Sequence, residues 1–186
     1  FTLLTRATFN IVSVVTTTGY AADDWLLWGN FVIAVFFFTT FIGGCSGSTS
    51  GGFKIFRIQI LLSAIRTMLK RAVHPSRVIE PRYAGTPVSP GVLEGVLVFS
   101  VLYTATFAAF AFVYMMLGLD IETALSASIT AQANVGPGIG PVIGPSGTFA
   151  PLSDTVTLLL AFQMILGRLE LIGGLLVFSP YFWSQN

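Results

Sequence analysis

Charge is scarce in this sequence. Only 9% of its 186 residues are Asp, Glu, Lys or Arg, where an average soluble domain carries about a quarter. Such a chain cannot coat itself in solvated side chains. The net charge of +1 leaves no basic face for a phosphate backbone, which argues against nucleic acid as a partner. A single cysteine excludes an internal disulfide framework and a paired-thiol metal site. What is abundant is apolar: 54% hydrophobic residues, 17 phenylalanines and a mean hydropathy of +0.82. The composition is that of a membrane-embedded protein. The chain opens at Phe1 with no basic stretch ahead of a short apolar core, and the reading is of a segment of a longer protein.

About 20 apolar residues cross a bilayer. Three stretches are expected to span: residues 25–42, bounded by Asp23 and Asp24; residues 92–119; and residues 155–183, which carry Arg168 and Glu170 close to their midpoint. The first runs into Gly43-Gly44-Cys45-Ser46-Gly47-Ser48-Thr49-Ser50-Gly51-Gly52, where a regular lipid-facing helix must break. Two further apolar stretches, residues 2–15 and 121–133, are too short to cross and read as re-entrant helices. Each is followed by a glycine-containing turn, Thr16-Thr17-Thr18-Gly19-Tyr20 and Asn134-Val135-Gly136-Pro137-Gly138. The order of short helix, glycine turn and glycine-interrupted span therefore occurs twice, with residues 92–119 as an extra span opening the second copy. Basic residues stay on the cytoplasmic side of short connections. Lys54, Arg57, Arg66, Lys70, Arg71, Arg77 and Arg82 mark one loop as cytoplasmic, and the alternation of spans then puts the C-terminal Ser184-Gln185-Asn186 inside as well.

This unit points to a cation path. Irregular backbone at membrane depth is tolerated only where it is buried in protein or lines a watery cavity. A helix that ends there aims its carbonyl end, about half a negative charge, into the space beyond. Glycine permits the left-handed backbone that turns successive carbonyls the same way, and such carbonyls replace the hydration shell of potassium. Pro137 departs from a plain potassium-channel string, since it fixes one φ and donates no N–H.

The motifs T-T-T-G-Y, G-G-C-S-G-S-T-S-G-G, N-V-G-P-G and the terminal G-R-L-E-L together resemble the TrkH/KtrB potassium transporters. The resemblance implies an all-α membrane protein with helix, re-entrant pore helix, helix repeats around a central cation pore. Residues 1–72 would be the pore helix, filter and broken second helix of the third repeat, residues 73–90 a cytoplasmic loop, and residues 91–186 the fourth repeat. Carried over, the filter carbonyls belong to Thr17, Thr18, Gly19, Asn134, Val135 and Gly136, with K+ at Thr18, Gly19, Val135 and Gly136. Gly43, Gly44, Cys45, Ser46, Gly47, Ser48, Thr49, Ser50, Gly51 and Gly52 would form a movable plug beneath the filter, and Arg168 a positive barrier in the pore. The resemblance further implies potassium uptake across the inner membrane, no organic cofactor, a homodimer, membrane lipids as surroundings and a cytoplasmic nucleotide-binding subunit of the TrkA/KtrA kind.

Other readings compete. Arg168 and Glu170 are two apart and face different sides of a helix, so they cannot pair with each other; Glu170 is expected to pair elsewhere. Arg6, inside the first re-entrant helix, is expected to bind carbonyls or headgroups. Close helix packing is a second reading of the glycine-serine run, but five glycines in ten positions each cost about 1 kcal/mol of helix propensity. Gly44-Cys45-Ser46-Gly47 has the form used by rhomboid-like serine proteases, which need a base beside the serine; the one histidine, His74, lies in the basic loop. A sodium-coupled or sodium-permeable transporter of the same superfamily is the nearer alternative.

Overall fold

The structure, a computed structural model, describes residues 2–74 and 79–169. Its elements in order are α1 (Thr2–Val15), a 3-10 turn (Trp25–Trp28), α2 (Asn30–Phe41), β1 (Ile42–Gly43), β2 (Phe53–Lys54), α3 (Ile55–Val73), a small hairpin of β3 (Arg82–Tyr83) and β4 (Thr86–Pro87), α4 (Pro90–Met116), α5 (Ile121–Ala133) and α6 (Asp154–Arg168). Both short helices, α1 and α5, form over the stretches their composition marks. Among the described residues α4 is the one helix long and apolar enough to cross a membrane.

Three expectations need correction or limit. Residues 25–42 do not make one continuous helix. Gly29 sits at φ +105°, outside the helical region, and divides a 3-10 turn capped by Asp24 from the twelve-residue α2. The stretch after Lys54 is not all loop: α3 occupies nineteen residues of it, because its basic residues alternate with apolar ones at helical spacing. The third span is helical from Asp154 to Arg168, while Glu170 and the rest of the chain lie outside the described residues.

α5 packs between α4 and α6, and every residue from 123 to 133 except Leu125 is buried. Its alanines and serines let the three backbones approach, as small residues do in lipid. One core cluster joins these helices through Tyr114, Ala124, Ala127, Ala131, Ile143, Val156 and Leu160. A second ties the two copies of the unit together. In it Trp25 stacks on Phe36 at 4.6 Å, and both pack with Val14, Ala133 and Val135. Arg6 pairs with the Asp23 carboxylate at 3.0 Å across the turn after α1, where a carbonyl partner was one expectation. Half-exposed pairs of this kind add little stability.

Candidate functional site

The two short helices end in the same way. At the first, the Thr18 N–H donates to Ser13 O (2.9 Å) and the Thr17 N–H to Val14 O (3.1 Å), with Thr17 at φ +55°. At the second, the Val135 N–H donates to Thr130 O (3.1 Å) and the Asn134 N–H to Ala131 O (3.1 Å), with Asn134 at φ +57°. Each is a Schellman cap. In each, the residue two positions beyond the left-handed one is a glycine of positive φ, Gly19 at +81° and Gly136 at +111°. The sequence duplication is thus a duplication of backbone geometry, which equates Thr17 with Asn134, Thr18 with Val135 and Gly19 with Gly136.

The turns also meet. A Cβ built on Gly19 would lie 2.2 Å from the Val135 carbonyl oxygen, and one on Gly136 would lie 3.9 Å from Gly19 Cα. A side chain at Gly19 is excluded by the Val135 carbonyl, and apart from the Pro137 ring what the second strand presents to it is backbone. The second turn is braced from behind by its own helix and by α6. Thr130 Oγ1 donates to Pro137 O (3.0 Å), the Ile139 N–H donates to Ser126 Oγ, and Asn134 Nδ2 donates to Met164 O on α6 (3.0 Å). Asp120 starts α5 by accepting the Thr123 N–H at 3.0 Å, and that bond holds its carboxyl below the usual carboxylate range.

The glycine-serine run is a closed loop whose neck is the parallel pair β1–β2, Ile42 opposite Phe53 and Gly43 opposite Lys54. Glycine is required at that neck, because a Cβ on Gly43 would fall 2.2 Å from Gly51 O. Inside, the Gly44 N–H donates to Ser50 Oγ (2.9 Å), and the Ser48 and Ser50 hydroxyls are 2.6 Å apart. The loop's far limb lies against both caps: the Gly51 N–H donates to Thr17 Oγ1 (3.3 Å), and a Cβ on Gly51 would sit 2.2 Å from Ala133 O. The ten residues do not act alike, since Gly43 and Gly51 are buried while Cys45, Ser46 and Gly47 are exposed. Ser46 and His74 are separated by α3, which rises about 28 Å along its nineteen residues.

Arg168 closes α6 and lines a cavity of about 250 Å3 together with Ser48, Thr49, Ser50, Gly51, Gly52, Lys54, Phe99, Tyr103 and Gly167. The expected barrier charge and the expected plug therefore share one space. Gly167 lets α6 approach the end of α5, because a Cβ there would be 2.0 Å from Gln132 O. The sequence reading missed Gln132 and Gln163, both fully buried. The signal was present: an amide inside an apolar stretch must find partners in the protein.

Comparison with known proteins agrees with this geometry. The sequence profile of the family described as "TrkH: Cation transport protein" matches residues 2–185. The Trk system potassium uptake protein TrkI of Halomonas elongata is 50% identical over 185 residues, which cover 100% of this chain and 38% of that protein. The Trk system potassium uptake protein TrkH of Escherichia coli (strain K12) is 32% identical over 98% of this chain and 37% of its own length. The crystal structure of the potassium transporter TrkH from Vibrio parahaemolyticus superposes with a TM-score of 0.86 at 33% identity, over 96% of this chain and 37% of that one. The chain thus spans a little over a third of the length of these relatives and has their all-α membrane-transporter fold. It belongs to the TrkH family of cation transport proteins.

Proposed function

We propose that this chain supplies two of the filter turns, the plug and the barrier charge of a pore that takes up potassium across the inner membrane. The observation that carries this reading is the meeting of the Gly19 and Gly136 turns, each set by the same cap at the carbonyl end of a short helix. Two helix C-termini bring negative partial charge to one place, and the backbone oxygens of Thr18, Gly19, Val135 and Gly136 replace the water of a monovalent cation there. Oxygens from this chain make part of the ring. The loop from Gly43 to Gly52 closes the path below the filter, and Arg168 sets an electrostatic barrier beside it. Potassium is the cargo named for the relatives, and a sodium-permeable pore is the alternative that the same backbone geometry allows.

The remaining elements of the reading follow the resemblance: a homodimer, surrounding lipid, a cytoplasmic nucleotide-binding partner and a cytoplasmic C-terminus. The basic residues of α3 and the following hairpin support that orientation. Rubidium uptake into liposomes by the complete gene product tests the function. Uptake that external potassium suppresses and external sodium does not is the expected result. Equal competition by sodium would favour the alternative, and no uptake would overturn the proposal.

A further inference from the structure

A buried polar network outside the filter joins three helices around α5. Gln163 on α6 accepts from the Tyr114 hydroxyl (2.8 Å) and directs its Nε2 at Ser128 O (3.0 Å), Ser128 Oγ (2.9 Å) and Gln132 Oε1 (3.2 Å). Gln132 Nε2 in turn donates to Tyr103 O (2.8 Å), and Ser128 Oγ donates to Phe107 O (2.8 Å), both on α4. Gln132, Gln163 and Ser128 are fully buried. No water competes for these groups in a membrane interior, so a shift or rotation of α5 leaves them unpaired. The network occupies the last turns of α5, immediately before the cap at Asn134. The next residue on α6, Met164, holds the Asn134 side chain through its carbonyl.

We infer that Gln163 is a positioning residue for selectivity: it fixes the end of α5 relative to α4 and α6, and so sets where the Val135 and Gly136 carbonyls stand. This rests on the potassium-uptake reading above. An apolar core would hold the helices together equally well, but it resists sliding less, since hydrophobic contact is non-directional and hydrogen bonds are directional.

The test is simultaneous uptake of rubidium and sodium by the complete gene product in liposomes, with thermal stability measured on the same preparations. Gln163→Met keeps the side chain's length and removes its hydrogen bonds. It is expected to lower the rubidium-to-sodium ratio by about three- to tenfold. Val156→Ala, which opens a cavity in the same bundle and removes none of these hydrogen bonds, is expected to lower the melting temperature and keep the wild-type ratio. If Gln163→Met is not recovered folded, Ser128→Ala replaces it, removing one donor and one acceptor with the same expected direction. A wild-type ratio in the glutamine or serine variant overturns the assignment, as does an equal change in Val156→Ala. Wild-type protein that takes up no rubidium overturns the uptake reading, and the assignment falls with it.

Discussion

The two glycine turns share one cap and differ in the side chains and helices that support it. α5 is enclosed by α4 and α6, and its turn is braced by Thr130, Ser126 and the Asn134 amide. α1 buries only Asn10, Ser13 and Val14, and its turn leans on the Asn10 side chain, which accepts the Ala22 N–H at 2.9 Å, and on the second turn itself. The left-handed residue differs too. Asparagine visits that conformation readily, whereas β-branched threonine does so only under constraint. Gly51 of the glycine-serine loop lies against both caps, but its N–H donates to Thr17 while the Asn134 amide turns to Met164, so the less favourable residue is the one hydrogen-bonded to the loop. Within this chain, the second turn is held by its neighbouring helices and the first by its hydrogen bond to the loop from Gly43 to Gly52.

The largest expected effect follows from the unequal space at the two glycines. Gly19→Ser combines positive φ with a Cβ 2.2 Å from Val135 O, while Gly136→Ser meets nothing closer than 3.9 Å. In the uptake assay Gly19→Ser should lower the preference for potassium over sodium by more than about tenfold, and Gly136→Ser should do less, its cost being mainly the strain of about 1–3 kcal/mol at positive φ. The reverse order would break the comparison. Next comes the plug. Gly51→Ala drives a Cβ into Ala133 O and should displace the loop, raising basal leak; a leak equal to wild type would make the loop a packing element. Arg168→Ala removes a positive charge from the shared cavity and should raise cation flux, so unchanged or reduced flux would count against a barrier.

How far these features can be read in advance depends on what each leaves in the sequence. The bounds of α1 and α5 were legible because an apolar run too short to cross ends at a glycine turn. The duplication T-T-T-G-Y and N-V-G-P-G was legible as composition, but its identical caps at Thr17 and Asn134 were not, since threonine is a poor left-handed residue and gives no local warning. α3 was legible only through the resemblance, as the second part of a broken helix ending near residue 72, because its charges signal orientation more loudly than periodicity. The Arg6–Asp23 pair and the Gln132–Gln163 network join positions far apart in the chain, and nothing local specifies such partners.

Two smaller effects sharpen the comparison of the caps. Thr17→Asn should relieve about 1 kcal/mol of backbone strain while losing the geometry that holds the Gly51 N–H, so the melting temperature should rise and leak should rise with it. A rise in neither would show that the first cap is not strained. Asp120→Ala removes the N-cap of α5 and should cost about 1 kcal/mol or less. Because the Asp120 carboxyl titrates lower when folded, its contribution is present above the ordinary carboxylate value of about 3.9 and is lost as pH falls through the lower folded value. The difference in melting temperature between wild type and Asp120→Ala should therefore shrink in strongly acidic buffer. A constant difference would assign the effect to something other than the charge.

An anomalous-scattering map of the complete gene product soaked in rubidium addresses the shared junction itself. A rubidium peak within coordination distance of the backbone oxygens at Gly19 and Gly136 is the predicted result, whereas an ordered junction with no peak, or a peak held only by side chains elsewhere, would contradict it.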